Sequence, residues 1–230
     1  MILIFDLDDT LIDTTRLIVP QAAQKSCETL ISGGIQATLQ ELLTRRKILA
    51  VGMSHSKIFP QLALEFGFPS NISSSHQKAV IDEAIHFFYN PSVPSPLPLI
   101  EGAREILEYF HARCPLYLVT AGTEVAQKDK IEKASVRGFF KECFVISTVT
   151  EKSKTPAFKK ILEMEKCRPD ECLSVGNRLS SEIADAKRLG MNTCHFRFGE
   201  HSAEVPKVPE EFPDHVINDL RELLRICPVH

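Results

Sequence analysis

This 230-residue sequence has no excess of positive charge. It carries 27 Lys and Arg residues against 30 Asp and Glu residues, which gives a formal net charge of -3 and a pI near 6.3. No cluster of Lys and Arg forms the kind of basic face that follows the phosphates of a nucleic acid strand. We therefore expect no nucleic acid partner.

Long hydrophobic runs are also missing. No stretch reaches the roughly 18 apolar residues that a membrane span needs, and the first apolar run lacks a basic segment before it and is interrupted by Asp6. The seven cysteines form no C-x-x-C pair and no repeated spacing, which is typical of reduced, mostly buried thiols. These absences predict a cytoplasmic protein with no membrane partner.

Short apolar runs alternate with helical patterns through most of the chain. Runs of four or five apolar residues, without strict polar alternation, are typical of strands buried on both faces of a sheet. The predicted strands are 2–5, 116–119, 143–146, 172–175, 193–196 and a shorter one at 216–217. The predicted helices of this part are 102–113, 124–134, 155–166, 181–189 and 218–226. Helical crossovers between buried strands predict an α/β fold with a doubly wound, Rossmann-like parallel sheet.

The segment after the first motif interrupts this alternation. It contains helical patterns only, at 17–31, 36–50, 56–66 and 75–89. The stretch NPSVPSPLP at 90–98 follows, and its four prolines exclude a helix and indicate an extended hinge. We therefore predict two domains: an α/β core of residues 1–13 and 99–230, and a helical cap of residues 14–98.

Three carboxylates follow the first predicted strand, at Asp6, Asp8 and Asp9, with Thr10 directly behind. Residues i and i+2 of a strand point to the same side, so Asp6 and Asp8 would face one small site beyond the carboxyl end of the strand. Carboxylates this close repel one another unless a cation compensates, which favours a hard divalent ion such as Mg²⁺. The spacing lacks the glycine and glutamate of a calcium loop, and a helix N-cap would explain only one of the three acids.

Two later segments carry groups suited to an anion. Thr120 ends the second predicted strand and turns through Gly122 into a helix, where a hydroxyl and backbone N–H groups could cradle a phosphate. Lys152 and Lys154 follow the third strand and precede a helix. Each signal alone is also compatible with an ordinary turn or with solvent-exposed lysines.

Oxygen ligands recur after the fourth predicted strand. In VGNRLSSEI at 175–183, Asn177 and Glu182 supply oxygens of the kind that bind a hard metal ion. Capping of the next helix by Asn177 is the alternative.

Taken in order, D-x-D-D-T at 6–10, Thr120 after a strand, Lys152 ahead of a helix and G-N-x-x-x-x-E at 176–182 resemble the four motifs of the haloacid dehalogenase superfamily of hydrolases. The resemblance extends to EVAQKDKIEKA at 124–134. It covers nearly the whole sheet domain, and a helical insertion follows the first motif, where that superfamily commonly places a cap.

The resemblance implies an enzyme of the phosphatase type. Asp6 would attack phosphorus and form an aspartyl phosphate, and Asp8 would protonate the leaving oxygen and later deprotonate the hydrolytic water. Thr120 and Lys152 would complete the catalytic set by holding the phosphoryl oxygens. The candidate substrate-binding residues are Thr120, Ala121 and Lys152, and Arg16 is added only because it lies close to the first motif, with a solvent-exposed side chain as the alternative.

The resemblance also implies Mg²⁺ as cofactor, held by Asp6, the main-chain carbonyl of Asp8 and the last motif. Family members often carry Asp at both acidic positions of that motif, whereas this chain has Asn177 and Glu182. We expect Glu182 to be the charged ligand and Asn177 a neutral one.

The motif lysine is ambiguous because Lys152 and Lys154 lie two positions apart. The family pattern has a lysine six residues before an aromatic on the following helix. The spacing from Lys152 to Phe158 matches it, so we predict Lys152.

The leading prediction is a Mg²⁺-dependent phosphatase for a small phosphorylated metabolite, acting as a monomer or homodimer. A 2-haloacid dehalogenase would need no acid at Asp8, because halide leaves without a proton, so Asp8 favours phosphoryl transfer. A phosphomutase and a non-catalytic binding protein stay open as alternatives. Substrate choice would depend on the helical insertion.

Overall fold

The chain divides into two compact units in a computed structural model that describes residues 1–147 and 153–228. One unit is formed by Met1–Thr14 and Val93–His230, and we call it the sheet unit. The other is Thr15–Ser92, the helical unit. No helix in the described ranges is both long enough and apolar enough to cross a bilayer.

The sheet unit is built on six parallel strands. They are β1 (Ile2–Phe5), β2 (Leu116–Gly122), β3 (Glu142–Ser147), β4 (Cys172–Gly176), β5 (Asn192–Phe196) and β6 (His215–Ile217). Their order across the sheet is β3-β2-β1-β4-β5-β6. This confirms the predicted α/β fold with a doubly wound, Rossmann-like sheet.

Strand β1 lies at the point where the strand order reverses. Ile4 pairs with Tyr117 of β2 on one side and with Ser174 of β4 on the other. The chain therefore builds β2 and β3 on one side of β1 and β4 to β6 on the other. A crevice forms at such a reversal, outside the carboxyl ends of the central strands.

Ten helices accompany the strands in the described part of the chain. They are α1 (Thr14–Leu17), α2 (Val19–Ser32), α3 (Leu39–Ala50), α4 (His55–Phe66), α5 (Ser74–Tyr89), α6 (Ala103–His111), α7 (Glu124–Lys133), α8 (Thr155–Glu165), α9 (Ala184–Lys187) and α10 (Leu223–Ile226). Two predicted helices are more complex than expected. The one at 181–189 begins as a π-helical turn, Leu179–Ile183, before α9, and the one at 218–226 begins as a 3₁₀ turn, Leu220–Glu222, before α10.

The core of the sheet unit follows from the apolar strands. Ile2 and Ile4 of β1 lie on one face with Val119 of β2, and they pack against Phe158 and Ile161 of α8. Alternate strand residues point to opposite faces, and all four residues of β1 are buried because helices cover both. The seven cysteines are free thiols in the structure, and four of them are buried.

The helical unit has a core of its own. Its centre includes Cys27, Leu30, Leu42, Phe59 and Leu62 from helices α2 to α4. Helix α3 begins with a capping box, in which Thr38 accepts from the N–H of Glu41 while the Glu41 carboxylate accepts from the N–H of Thr38. A Cβ at Gly33 would lie 2.3 Å from Cγ1 of Val80, so glycine permits the close approach of α2 and α5.

The proline-rich stretch belongs partly to the sheet unit. Its backbone pairs with the last residue of α7: the N–H of Leu97 donates to the carbonyl of Lys133 at 3.1 Å, and Lys133 Nζ donates to the carbonyl of Val93 at 3.0 Å. The last carbonyls of a helix lack partners within it, and Leu97 supplies one. Residues 93–98, which we expected in the cap, therefore group with the sheet.

Candidate active site

The first motif forms a tight turn at the carboxyl end of β1. The N–H of Asp6 donates to the carbonyl of Val175 in β4 at 2.9 Å, which extends the pairing of the two strands past Phe5. The N–H of Asp9 then donates to the carbonyl of Ile12 at 2.8 Å and closes the turn. Asp6 is buried, whereas the Asp8 side chain keeps 27% of its surface exposed. Both carboxylates therefore lie at the central crevice of the sheet.

Lys154 contacts the first of these carboxylates. Its ammonium lies 2.6 Å from Oδ1 of Asp6 and also contacts the carboxylate of Glu182. All three side chains are at most 8% exposed. Two buried carboxylates therefore share one buried ammonium.

The cluster of Asp6, Lys154 and Glu182 carries an excess of negative charge. Burial raises the pKa of Asp6 to about 7, a value that includes the raising effects of the nearby Glu182 and Asp8 and the opposing effect of Lys154. Burial also acts to raise the pKa of Glu182, but the Lys154 ammonium outweighs it and the pKa is lowered. One buried lysine is thus shared by two buried carboxylates, which leaves this cluster of three side chains with one negative charge in excess when both acids are ionised.

Helix α8 presents Lys154 because two contacts fix its first turn. The N–H of Phe158 donates to the Lys154 carbonyl at 3.1 Å, and the Phe158 ring is buried in the core. The buried Asp185 accepts from the backbone N–H of Lys154 at 2.6 Å and from the Ser153 hydroxyl at 2.9 Å. Lys152, the lysine we predicted here, lies outside the described residues.

The last motif brings Glu182 back over the end of β4. A Cβ at Gly176 would lie 2.4 Å from Cγ of Glu182, so the absence of a side chain makes room for this carboxylate. The N–H of Arg178 donates to Oε2 of Glu182 at 3.0 Å. The π-helical turn Leu179–Ile183 carries Glu182 into this position, and such turns are frequent at functional sites.

Asn177 is buried beside Glu182 at the end of the same strand. Its amide nitrogen donates to the carbonyl of Phe198 at 3.3 Å, and its backbone carbonyl lies 3.1 Å from Nε2 of the buried His195. These contacts fix the residue, and the amide oxygen is the side-chain atom that a cation could bind.

The second carboxylate, Asp8, is held by three side chains. Lys130 Nζ lies 2.7 Å and 2.9 Å from its two oxygens. Thr14 Oγ1 donates to Oδ1 at 2.5 Å, and Gln127 Nε2 donates to Oδ2 at 3.0 Å. Burial raises the pKa of Asp8, but Lys130 and these hydrogen bonds outweigh it, so that the pKa is lowered.

Thr120 joins this network from the end of β2. The residue is buried, and its hydroxyl donates to Oε1 of Gln127 at 3.2 Å. The carbonyl of Ala121 accepts from Nε2 of the same Gln127 at 3.2 Å. The structure therefore brings together Asp6, Asp8, Thr120, Ala121 and the last motif, whereas Arg16 is an exposed residue of the helical unit.

Sequence reasoning missed Gln127, Lys130 and Asp185. A signal for the first two was present, because Gln127 and Lys130 lie three positions apart on the face of α7 that also buries Ala126 and Ile131. A lysine and a glutamine on a buried helix face need partners, and such residues are rarely buried otherwise.

The donors at this crevice fit a hard cation. In residues 1–147 and 153–228, no three His, Cys, Asp or Glu side chains form a ready metal site. Asp6, Glu182 and Asn177 nevertheless offer two carboxylates and an amide, and the main-chain carbonyl of Asp8 lies in the same turn as Asp6. The uncompensated buried charge next to Asp6 is the condition that a divalent ion relieves.

The fold and these strand-end carboxylates define an α/β protein with a site at the topological switch point of its sheet. The sequence pattern described as haloacid dehalogenase-like hydrolase matches residues 3–196. The chain therefore belongs to the haloacid dehalogenase-like hydrolases. This confirms the predicted family and the predicted class of enzyme.

Two curated relatives carry the name glyceraldehyde 3-phosphate phosphatase. The protein of Pyrococcus furiosus is 29% identical over 98% of this chain and 92% of its own length. The protein of Pyrococcus abyssi is 30% identical over 86% of this chain and 82% of its own length.

A solved structure supports the fold. The HAD-hydrolase YfnB of Bacillus subtilis, crystallised with magnesium bound, matches with a TM-score of 0.67 at 23% identity. The match covers 98% of this chain and 97% of that one.

Proposed function

We propose that this protein is a Mg²⁺-dependent phosphatase that hydrolyses a small phosphorylated metabolite through an aspartyl phosphate. The observation that carries this proposal is the contact between Lys154 Nζ and Oδ1 of Asp6 at 2.6 Å. The contact leaves a buried carboxylate at the sheet crevice with a cation beside it, where a phosphoryl group could be received and its charge balanced.

Asp6 acts as the nucleophile and Asp8 as the general acid and base. An oxygen of Asp6 attacks phosphorus, and the bond between phosphorus and the leaving oxygen breaks. Asp8, in its protonated form, donates a proton to the leaving oxygen. In the second step Asp8 takes a proton from water, which attacks phosphorus and releases inorganic phosphate from Asp6. The two acids suit these unequal roles because Asp6 is buried and Asp8 is partly open to solvent.

Thr120 and a motif lysine hold the phosphoryl oxygens. We assign the lysine role to Lys154, because its ammonium contacts Asp6, in place of the Lys152 that the spacing predicted. Donors fixed before the reaction stabilise charge that gathers in the transition state without reorganising. The hydroxyl of Thr120 is fixed in this way by Gln127.

Asp6, the main-chain carbonyl of Asp8, Glu182 and Asn177 would hold the magnesium ion. When bound, the ion supplies positive charge that screens the anionic substrate from the anionic nucleophile. The neutral Asn177 lowers the ligand charge, which predicts a moderate affinity.

The proposed substrate is a triose phosphate such as glyceraldehyde 3-phosphate. The support is the name shared by the two Pyrococcus relatives, which match this chain over 86% or more of its length. The helical unit Thr15–Ser92 would act as the cap that selects the leaving group, with Arg16 among its candidate substrate contacts.

The test is phosphate release from glyceraldehyde 3-phosphate by the purified protein, with Mg²⁺ and with EDTA. We expect release that requires Mg²⁺ and is lost in Asp6→Asn. The control is Asp170→Asn, an exposed acid before the amino end of β4, which should keep full activity. Activity in Asp6→Asn, or halide release from a 2-haloacid without phosphate release, would contradict the proposal.

A further inference from the structure

We propose that Lys130 is a positioning residue for the proposed general acid and base, and that it fixes the Asp8 carboxylate toward the leaving group. The proposal rests on the function assigned to Asp8 above. It concerns a residue of α7 that lies 122 positions from Asp8 in the chain.

Every oxygen of the Asp8 carboxylate has two donors. Oδ1 accepts from Thr14 and Lys130, and Oδ2 accepts from Lys130 and Gln127. Lys130 is the only one of these donors that contacts both oxygens. A carboxylate held at both oxygens by one buried cation cannot rotate about its last bond without breaking a charge-assisted hydrogen bond.

The burial of Lys130 favours a functional role over a purely structural one. The residue is 5% exposed, and its helix face otherwise buries Ala126 and Ile131. An ion pair with a buried member seldom adds stability beyond what an apolar side chain of similar size would give, because the buried ion, here Lys130, loses its hydration. The pair therefore needs another explanation, and control of the Asp8 geometry supplies one.

Gln127 connects this control to the phosphoryl-binding side of the site. One turn before Lys130, its amide accepts from the Thr120 hydroxyl and donates both to Asp8 and to the Ala121 carbonyl. The end of β2 and the general acid are thus held by the same helix face. A displacement of α7 would move both together.

The test compares two aryl phosphates of similar shape that differ in their leaving groups. Phenol leaves poorly without a proton, because its pKa is about 10, whereas 4-nitrophenol is much more acidic and leaves as its anion. Alcohol release is followed in single turnovers with Mg²⁺ and enzyme in excess, so that only formation of the aspartyl phosphate is measured. Loss of a residue that positions the general acid should therefore slow the reaction of phenyl phosphate more than that of 4-nitrophenyl phosphate.

Lys130→Met keeps the length of the side chain and removes the ammonium. We expect its rate on phenyl phosphate to fall by about a hundredfold, which is at the lower end of the range for a lost general acid. Its rate on 4-nitrophenyl phosphate should fall by about tenfold at most. Lys130→Arg keeps a cation that can donate to both oxygens and should recover most of the phenyl phosphate rate. The matched control is Lys128→Met on the exposed face of α7, where the lysine pairs with Glu124 on its own helix.

Equal losses on the two substrates, or no loss on either, would overturn the positioning role. If Lys130→Met fails to fold, Lys130→Gln, which removes the charge and keeps a polar side chain, provides the same comparison, and equal losses there overturn the role as well. A wild-type protein that releases neither phenol nor 4-nitrophenol, and no phosphate from glyceraldehyde 3-phosphate, would instead contradict the proposed phosphatase function. The two failures are therefore distinguishable.

Discussion

The ammonium of Lys154 lies 2.6 Å from Oδ1 of Asp6, although the two residues are 148 positions apart in the chain. The same ammonium contacts Glu182 from the last motif. Three segments of the sheet unit therefore meet at one buried nitrogen atom. This arrangement gives the site its charge balance and makes its parts testable one at a time.

Lys154→Met should abolish most of the activity. Without the ammonium, Asp6 and Glu182 lose the cation that they share, and a lost charge contact to the phosphoryl group typically costs on the order of 10²–10³ in kcat. Steady-state phosphate release measures the loss. Lys160→Met, on the exposed side of α8, is the matched control. Should Lys152→Met be the inactive variant and Lys154→Met the active one, our assignment of the motif lysine is wrong.

Asp6→Asn should stabilise the metal-free protein at high pH. The pKa of Asp6 is raised from 3.8 to about 7, so the folded protein binds more protons than the unfolded chain between these values. The contribution of Asp6 to the free energy of unfolding is therefore present below pH 3.8 and is lost as the pH rises through about 7. Asparagine cannot ionise and escapes this loss.

Thermal unfolding in EDTA at several pH values measures this effect. The melting temperature of Asp6→Asn minus that of the wild type should increase as the pH rises from 4 to 8, on the order of a few degrees. The difference between the two melting temperatures isolates the effect of Asp6 from that of Asp8 and Glu182. The pKa values of these two acids are lowered, so their contribution to the free energy of unfolding is lost as the pH falls. A difference that does not change with pH would show that Asp6 titrates normally.

Magnesium affinity should follow the charge of the last motif. Glu182→Gln removes one carboxylate and should weaken Mg²⁺ binding by about tenfold or more, whereas Asn177→Asp adds one and should strengthen it. Isothermal titration calorimetry of the purified variants gives the affinities without relying on turnover. An unchanged affinity in both variants would place the ion elsewhere.

Gly176→Ala should damage the site by displacing Glu182. The added methyl would lie 2.4 Å from Cγ of Glu182, which is inside van der Waals contact. Overpacking of this kind costs about 1–3 kcal/mol in the free energy of unfolding, and we expect activity to fall with it. Gly138→Ala is the control because a methyl there meets no atom within 4 Å. Chemical denaturation and phosphate release are measured on both variants. A Gly176→Ala protein with the stability and activity of the wild type would contradict this prediction.

Local patterns were enough to predict the sheet. Apolar runs such as the one ending at Phe5 indicate strands buried on both faces, and helices between them require parallel neighbours. The exceptions lie where the pattern meets other constraints. At Leu179–Ile183 the backbone forms a π-helical turn, and at Val93–Pro98 it pairs with the end of α7, so these segments depart from the expected elements.

The sequence alone determined that Asp6 and Asp8 lie together at the end of a central strand, because both the turn and the spacing are local. Only the tertiary structure showed that Lys154 contacts Asp6 and that Lys130 contacts Asp8. The reason is physical: an ammonium on a flexible side chain finds its carboxylate through the packing of whole helices. The anchoring of α8 by Phe158 and the burial of one face of α7 fix those contacts, and no spacing along the chain encodes them.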